Sequence, residues 1–346
     1  MSEIFEPLGH RPLIEGLWQA LERGRLPHAL LFEGPPGIGK FLAARWFAQG
    51  LHCAKRTANQ GEWSGPCGTC GGCKRFAAGS HPDVYELDPA AEEMESIPVK
   101  AIAERERGVP TVCGFFALRA MEGGMRTVIV REFERAEVAA QNALLKTLEE
   151  PGQGALLILE SSRPDLLLET IRSRCVTVRF EALSASDCSQ VLRNNGDVDP
   201  RLIPWAQGSP GRALDLAREG AIEVRAILAQ VLRGELDPLL ATPQAQDARG
   251  DFAGKTPSAQ GRARARAALD LLLAILRDGV RYLAGADPAQ LAHGDLASLA
   301  EGNGVVWENA LQQVMALRGE VELNLSTEGI LDRALLTLQL SPATHA

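Results

Sequence analysis

The chain has 346 residues, of which 45% are hydrophobic and 23% are charged, and its formal net charge is −8. This length predicts two or three domains. The acidic balance argues against a free-standing DNA-binding protein, because non-specific DNA affinity comes from Lys and Arg that neutralise phosphates. The first residues lack the basic and apolar regions of a secretion signal, and the apolar segments are too short to span a membrane. We therefore expect a cytoplasmic protein with no membrane partner.

The first 180 residues alternate between strand patterns and helix patterns. Strands are predicted at residues 28–32, 127–130, 155–159 and 176–180, and helices at 40–51, 136–150 and 166–171. Repeated units of strand and helix are typical of a parallel sheet with helices on both faces. We expect an α/β domain over residues 1–180.

After residue 180 the strand patterns stop and helices dominate. Residues 181–221 predict a small helical domain, with helices from Ser184 or Ser186 to Asn194, at 201–207 and at 212–218. Residues 222–346 predict a second all-α domain, in which 236–262 is rich in Pro, Gln, Gly and Asp and is expected to be a long loop. Further helices are predicted at 262–284, 288–301, 305–317 and 327–340.

Residues 34–41 nearly match the phosphate-binding loop G-x-x-x-x-G-K-[ST], or P-loop. Gly34, Gly37 and Gly39 free the backbone to turn N–H groups towards phosphates, and Lys40 can reach a β or γ phosphate. Phe41 stands where a hydroxyl would hold Mg²⁺. The pattern is compatible with ATP or ADP that is bound but not hydrolysed, and the alternative is a Gly-rich turn with no ligand.

A second part of such a site is also altered. The predicted strand 127–130 runs into Arg131, at the position where an acid would help to hold Mg²⁺. Glu132 follows, but a lone glutamate at a strand end is most often solvated. Since Phe41 and Arg131 together remove two Mg²⁺ contacts, we expect no ATP hydrolysis by this chain.

Four cysteines fall close together in the chain. Cys53, Cys67, Cys70 and Cys73 form the pattern C-x13-C-x2-C-x2-C, with glycines between them. Four thiolates can close a tetrahedral Zn²⁺ site, and the glycines let the backbone fold tightly around a metal. An iron–sulfur cluster is the alternative, because four cysteines hold either. The pattern favours a structural zinc module at residues 53–73.

Two further motifs resemble a known family. Residues 141–151 (QNALLKTLEEP) and 173–175 (SRC) resemble the AAA+ subunits of DNA polymerase clamp loaders. The cysteines after the P-loop helix resemble the bacterial members, and residues 79–83 (GSHPD) with the altered P-loop resemble those of the delta-prime type. The resemblance covers essentially the whole chain. It implies an AAA+ P-loop module at 1–180, a helical lid at 181–221 and a helical collar at 222–346.

The resemblance also implies a function. Members of this family form five-subunit rings that load a sliding clamp onto primer–template DNA. It implies a non-hydrolysing subunit with gamma/tau and delta subunits as partners, and Arg174 as an arginine finger in the ATP site of a neighbouring subunit. A guanidinium fork matches phosphate oxygens, although the residues alone are equally compatible with a surface salt bridge.

Two other interpretations remain at this stage. One is an ATP-hydrolysing gamma/tau-type motor subunit, which Phe41, Arg131 and Gly211 oppose; Gly211 stands where the motor subunits carry a lid arginine. The other is a free-standing zinc protein with a degenerate P-loop. In either clamp-loader interpretation the chain belongs to a DNA-directed DNA polymerase holoenzyme, and the nucleotidyl transfer itself is the work of another chain.

Overall fold

A computed structural model describes most of the chain, and the chain divides into two compact units, Met1–Asp187 and Cys188–Ala346. The described residues are 6–56, 58–59, 62–63, 65–103, 110–122, 124–195, 198–248, 250–252, 256–321 and 326–338. Among them, no helix is both long enough and apolar enough to cross a membrane.

The first unit alternates strands and helices. Its elements in chain order are α1 Arg11–Glu22, β1 Ala29–Glu33, α2 Lys40–Leu51, β2 Ala58–Asn59, β3 Glu62–Trp63, α3 Gly71–Ala77, β4 Val84–Leu87, α4 Val99–Ile102, α5 Val112–Phe116, β5 Arg126–Val130, α6 Val138–Glu149, β6 Ala155–Ser161, α7 Glu169–Arg172 and β7 Val176–Arg179. Short 3₁₀ turns lie at Phe133–Arg135 and Pro164–Leu166.

Five strands form one parallel sheet in the order β4-β5-β6-β1-β7, and β2 pairs with β3 separately. Residues of β1 alternate between two apolar clusters, with Leu30 and Phe32 in one and Ala29 and Leu31 in the other. Strands buried on both faces must be apolar at successive positions. This is why β1, β5 and β6 each contain a short continuous apolar run. The predicted α/β architecture is confirmed.

Helix α6 shows how the helices cover the sheet. Ala140, Leu144 and Leu148 recur every four residues and lie in the same apolar cluster as Leu31. The Gln141 side chain is buried and accepts a hydrogen bond from the Leu168 backbone N–H at 2.8 Å. That bond holds the chain extended at residue 168, so the predicted helix over 166–171 is replaced by a 3₁₀ turn and the short helix α7.

In the second unit, the described residues form helices and no strand. The helices are α8 Ala185–Asn195, which begins in the first unit, α9 Leu202–Trp205, α10 Pro210–Arg218, α11 Ala221–Leu232, α12 Pro238–Asp247, α13 Pro257–Leu283, α14 Gly294–Ala297, α15 Gly304–Glu320 and α16 Thr327–Leu336. Short 3₁₀ turns lie at Pro288–Gln290 and Ser298–Ala300. The division of this helical region into lid and collar at residue 221 stays a prediction.

The long helix α13 is the centre of this unit and packs against α14, α15 and α16. At Gly279 a Cβ atom would lie 2.4 Å from two carbons of the Trp307 ring, and Trp307 is fully buried. Only glycine therefore lets α13 and α15 approach as closely as they do.

A buried histidine lies beside α13. His293 contacts the Trp205 ring, and its Nδ1 accepts a hydrogen bond from Arg225 Nε at 3.1 Å. Its backbone N–H donates to Asp278 Oδ2 at 2.9 Å. Burial, reinforced by the charge of Arg225, lowers the pKa of His293 to about 4.

One loop prediction and one helix prediction in this unit were wrong. The loop expected at 236–262 contains α12 and the start of α13, because Asp237 and Thr256 cap these helices through their side chains and a proline follows each cap. The helix expected at 288–301 is broken into 3₁₀ turns and α14, and residue 293 is held by Asp278. The last predicted helix ends at Leu336, and its positions 339 and 340 lie outside the described residues.

Candidate functional site

The P-loop lies at the carboxyl edge of the parallel sheet, between β1 and α2. Its glycines have positive φ angles: Gly34 151°, Gly37 72° and Gly39 98°. A Cβ atom at Gly34 would lie 2.2 Å from the Phe180 carbonyl oxygen, so no side chain fits there. Gly39 takes the left-handed conformation immediately before α2. The loop therefore has the backbone shape that its motif predicts.

Lys40 is buried within this loop rather than extended towards solvent. Its Nζ donates to the Gly34 and Pro35 carbonyl oxygens at 2.9 and 2.8 Å and to Ser162 Oγ at 2.9 Å. Glu160 Oε1 lies 3.0 Å from the same nitrogen. An ammonium group has three protons, so these four oxygens satisfy it fully.

Glu160 is buried near the end of β6 and is fixed through both of its oxygens. Oε2 accepts a hydrogen bond from the Glu132 backbone N–H at 2.9 Å. Glu132 has a φ of 49°, which is uncommon for a residue with a side chain. Next to it, the Ser162 N–H donates to Glu134 Oε1 at 3.1 Å. The ends of β5 and β6 thus bring the Glu160 carboxylate to the lysine and place the Glu134 carboxylate on Ser162, which itself contacts the lysine.

The two positions that replace magnesium ligands contact each other. The Arg131 guanidinium lies 5.1 Å from the centre of the Phe41 ring, within the range of a cation–π contact. Arg131 also donates to Asp88 Oδ2 at 2.9 Å. Burial acts to lower the pKa of Arg131, but the hydrogen bond and the charge of Asp88 raise it overall. Neither Phe41 nor Arg131 offers an oxygen to a divalent cation.

The four cysteines of the predicted zinc module are brought together by α2, α3 and the segment between them. Their sulfur atoms all lie within 4.8 Å of one another. Cys67 and Cys73 are 4.0 Å apart at sulfur, and Cys53 and Cys70 are 3.9 Å apart. A tetrahedron with Zn–S bonds of about 2.3 Å has edges of about 3.8 Å. The donor set and its spacing therefore fit one tetrahedral metal ion.

The backbone around these sulfurs is arranged to support them. The N–H groups of Cys67, Cys70 and Cys73 each donate to the sulfur of the preceding cysteine of the set at 3.4 Å. Hydrogen bonds from the backbone N–H groups of Thr69 and Cys70 lower the pKa of Cys67 to about 5, whereas burial raises the pKa of Cys53 and Cys73.

Arg174 lies between α7 and β7, at the amino-terminal end of β7, whereas the P-loop follows the carboxyl end of β1. Its Nη2 donates to Glu149 Oε1 at 2.5 Å, and its Nη1 donates to the Thr170 carbonyl oxygen at 3.1 Å. The side chain is 35% exposed. Its neighbour Cys175 is buried in the apolar core and anchors the segment. The guanidinium is therefore held in place with part of its surface open.

The sheet register relates Arg174 to the P-loop. Val176 lies opposite Leu30 in the parallel pair of β7 and β1. Arg174 comes before β7, in the turn that follows α7, whereas Gly34 follows β1. From Leu30 to Gly34 the chain advances four residues, about 13 Å at roughly 3.3 Å per residue of strand. Arg174 and the P-loop of the same chain therefore lie at opposite ends of the strands.

In the second unit, the predicted lid motif forms the start of α10. Ser209 Oγ accepts a hydrogen bond from the Arg212 N–H at 3.1 Å, and Gly211 lies in the first turn. The Arg212 guanidinium is 3.2 Å from Glu219. Arg212 is thus half-buried and ion-paired.

Three residues of the site were not found from the sequence. Glu160 and Ser162 contact Lys40, and Glu149 holds Arg174. Glu160 could have been suspected from the sequence, because an acidic residue directly follows the apolar run 155–159. Its position next to the P-loop depends on the pairing of that strand with β1. Glu149 lies within the 141–151 motif, but its partner is far away in the chain.

The parallel sheet, the P-loop at its carboxyl edge and the helical region that follows define a P-loop module of the AAA+ fold. A solved structure of a DNA polymerase III gamma subunit-related protein from Thermotoga maritima has this fold, with a TM-score of 0.50 and 16% identity over 94% of this chain and 98% of that one.

Sequence comparison then identifies the family. The family model described as "DNA polymerase III, delta subunit" matches residues 9–184, and this chain belongs to that family. The DNA polymerase III subunit delta' of Pseudomonas aeruginosa is 37% identical over 64% of this chain and 65% of its own length. The subunit delta' of Bacillus subtilis is 28% identical over 93% of this chain and 94% of its own length. The resemblance noted in the sequence is confirmed.

Proposed function

We propose that this chain is a non-hydrolysing subunit of a bacterial DNA polymerase III clamp loader and acts in the cytoplasm. It supplies Arg174 to the ATP site of a neighbouring gamma/tau-type motor subunit. With the motor and delta subunits it helps to place the sliding clamp on primer–template DNA. The family membership and the similarity to subunits named delta' support this assignment.

The position of Arg174 carries the proposal. The guanidinium is held by Glu149 and Thr170, is partly exposed, and lies at the sheet edge opposite its own P-loop. A finger in this position contacts only a nucleotide bound by another chain. Its fixed orientation means that little side-chain freedom is lost when it meets a phosphate.

The site of this chain is unsuited to hydrolysis. Phe41 and Arg131 occupy the positions of two magnesium contacts and stack on each other. Because phosphoryl transfer depends on a metal ion that neutralises charge between phosphates, we infer that the chain turns over no ATP.

We also infer that the cysteine quartet holds one structural zinc ion. The sulfur spacings are close to the edges of a zinc tetrahedron, and all four ligands come from the protein, so no position stays open for catalysis. A cluster of several irons would separate the sulfurs further, because its thiolates bind different iron atoms.

Reconstitution tests the finger. The chain is assembled with motor and delta subunits, clamp and primed DNA, and single-turnover ATP hydrolysis is followed for wild type and Arg174→Ala. Fingers of this kind contribute roughly 10³–10⁵ in rate. We therefore expect the variant to lose the fast phase of ATP hydrolysis that comes from the neighbouring motor subunit's site. We also expect it to lose most of its clamp-loading activity.

Arg179→Ala is the matched control. Arg179 is the last residue of β7, the strand that follows Arg174; it pairs with Glu33, and its side chain is 82% exposed. We expect it to leave hydrolysis unchanged. Equal activity of Arg174→Ala and wild type would refute the finger role. Magnesium-dependent ATPase activity of the isolated chain would instead favour the motor subunit.

A further inference from the structure

We propose that Glu160 closes the P-loop of this chain to nucleotides: its carboxylate takes the place beside Lys40 that a nucleotide phosphate would need. The proposal goes beyond the clamp-loader assignment and does not rest on it, because it concerns the isolated chain. It also decides between the two possibilities that the sequence left open, a loop with bound ATP or ADP and a loop without a ligand.

The first argument is the saturation of Lys40. A P-loop lysine binds a phosphate through its ammonium protons, but here they meet Gly34, Pro35 and Ser162 oxygens with Glu160 as counter-ion. The side chains of Lys40 and Glu160 are 2% and 7% exposed. A phosphate would have to displace a buried carboxylate that already satisfies the same charge.

The second argument is that Glu160 is fixed. It belongs to β6, which pairs with β1 on one side and β5 on the other. Its second oxygen is held by the Glu132 N–H. The carboxylate cannot move away from Lys40 without losing that hydrogen bond. An anion built into the sheet has a high effective concentration at the lysine. A free nucleotide would have to compete with that carboxylate for the lysine.

The third argument is a second negative charge close by. Glu134 accepts a hydrogen bond from the Ser162 N–H, and the Ser162 hydroxyl contacts Lys40. The other oxygen of Glu134 is buried and has no hydrogen-bond partner among the described residues. A phosphate at Lys40 would therefore meet the Glu160 carboxylate directly, with the Glu134 carboxylate one residue further away on Ser162, and like charges repel.

Binding measurements on the isolated chain test the proposal. Calorimetric titration with Mg·ADP and with inorganic pyrophosphate compares wild type with Glu160→Gln, whose circular dichroism confirms that it is folded. We expect no saturable binding by wild type up to millimolar ligand. We expect Glu160→Gln to bind both ligands at least about tenfold more tightly than wild type.

Two variants control for charge and for the lysine. Glu86→Gln removes a carboxylate that pairs with Arg45 at 2.9 Å, on a strand that is not part of the loop, and should bind no better than wild type. Adding Lys40→Met to Glu160→Gln should abolish the gain, since the phosphate then has no cation to meet.

Wild type alone can overturn the proposal, even if Glu160→Gln does not fold. Saturable micromolar binding of Mg·ADP by wild type would overturn the proposal without any variant. A folded Glu160→Gln that binds no more tightly than wild type would also overturn it. Neither result would touch the finger role of Arg174, which is measured in the assembled complex.

Discussion

The buried pair of Lys40 and Glu160 should be strongly coupled in stability. Their charged atoms lie 3.0 Å apart with almost no exposure, so at an effective dielectric constant of about 20 their Coulomb attraction is about 5.5 kcal/mol. Removing one partner of a buried pair costs about 3–5 kcal/mol, because the other charge stays buried alone, whereas replacing both with apolar groups is often neutral. We expect Glu160→Leu and Lys40→Met each to destabilise the first unit by about 3–5 kcal/mol, and the double variant by much less than the sum.

Native-state hydrogen exchange of the β1 and β6 amides measures this free energy within the first unit. A double-mutant cycle then gives the coupling energy, which we expect to exceed about 2 kcal/mol. The pair of Arg179 and Glu33, in which the arginine is exposed to solvent, is the control, and its cycle should give less than about 1 kcal/mol. Additive effects of the two single variants, within about 0.5 kcal/mol, would refute the argument that these charges stabilise each other.

Three further predictions concern the metal centre and the helical unit. Elemental analysis should find one zinc ion per chain in wild type and in Cys188→Ser, and none in Cys70→Ser; zinc retained by Cys70→Ser would contradict the ligand assignment. Gly279→Ala should destabilise the second unit by about 1–3 kcal/mol in thermal unfolding, because its Cβ would overlap the Trp307 ring, and Trp307→Leu should relieve the effect. Because the folded pKa of His293 is about 4 against about 6.5 unfolded, the unfolded state binds its proton first as the pH falls. Stability of the second unit should therefore drop between pH 6.5 and 4, by up to about 3 kcal/mol, and denaturation of His293→Gln across this range should show a flatter dependence.

Local patterns in the chain were sufficient for much of the fold and the site. Helix α2 begins at Lys40 and ends at Leu51, as its spacing predicted, because the P-loop glycines fix where it begins. The cysteine quartet was predictable because three of its members lie within seven residues, at Cys67, Cys70 and Cys73. In both cases the information lies in neighbouring residues.

Contacts between distant residues were not predictable in this way. Lys40 and Glu160 are 120 positions apart, and only the pairing of β1 with β6 places Glu160 beside the P-loop. Arg174 and Glu149 likewise meet through the packing of α6 and α7. In the second unit, the proline and glutamine content of 236–262 led to the prediction of a loop. The structure has α12 there, because Asp237 caps the helix and Pro238 is compatible with its first turn.

The contact between Phe41 and Arg131 affects how magnesium ligands could be introduced into this loop. A serine at position 41 would leave Arg131 without the ring on which it lies, and an aspartate at 131 would face Asp88 in place of a salt bridge. Each substitution alone therefore loses a favourable contact before any magnesium ion can bind. If Glu160 closes the loop as we propose, both substitutions together would still leave nucleotide excluded. On these proposals, ATP hydrolysis would require several positions to change together.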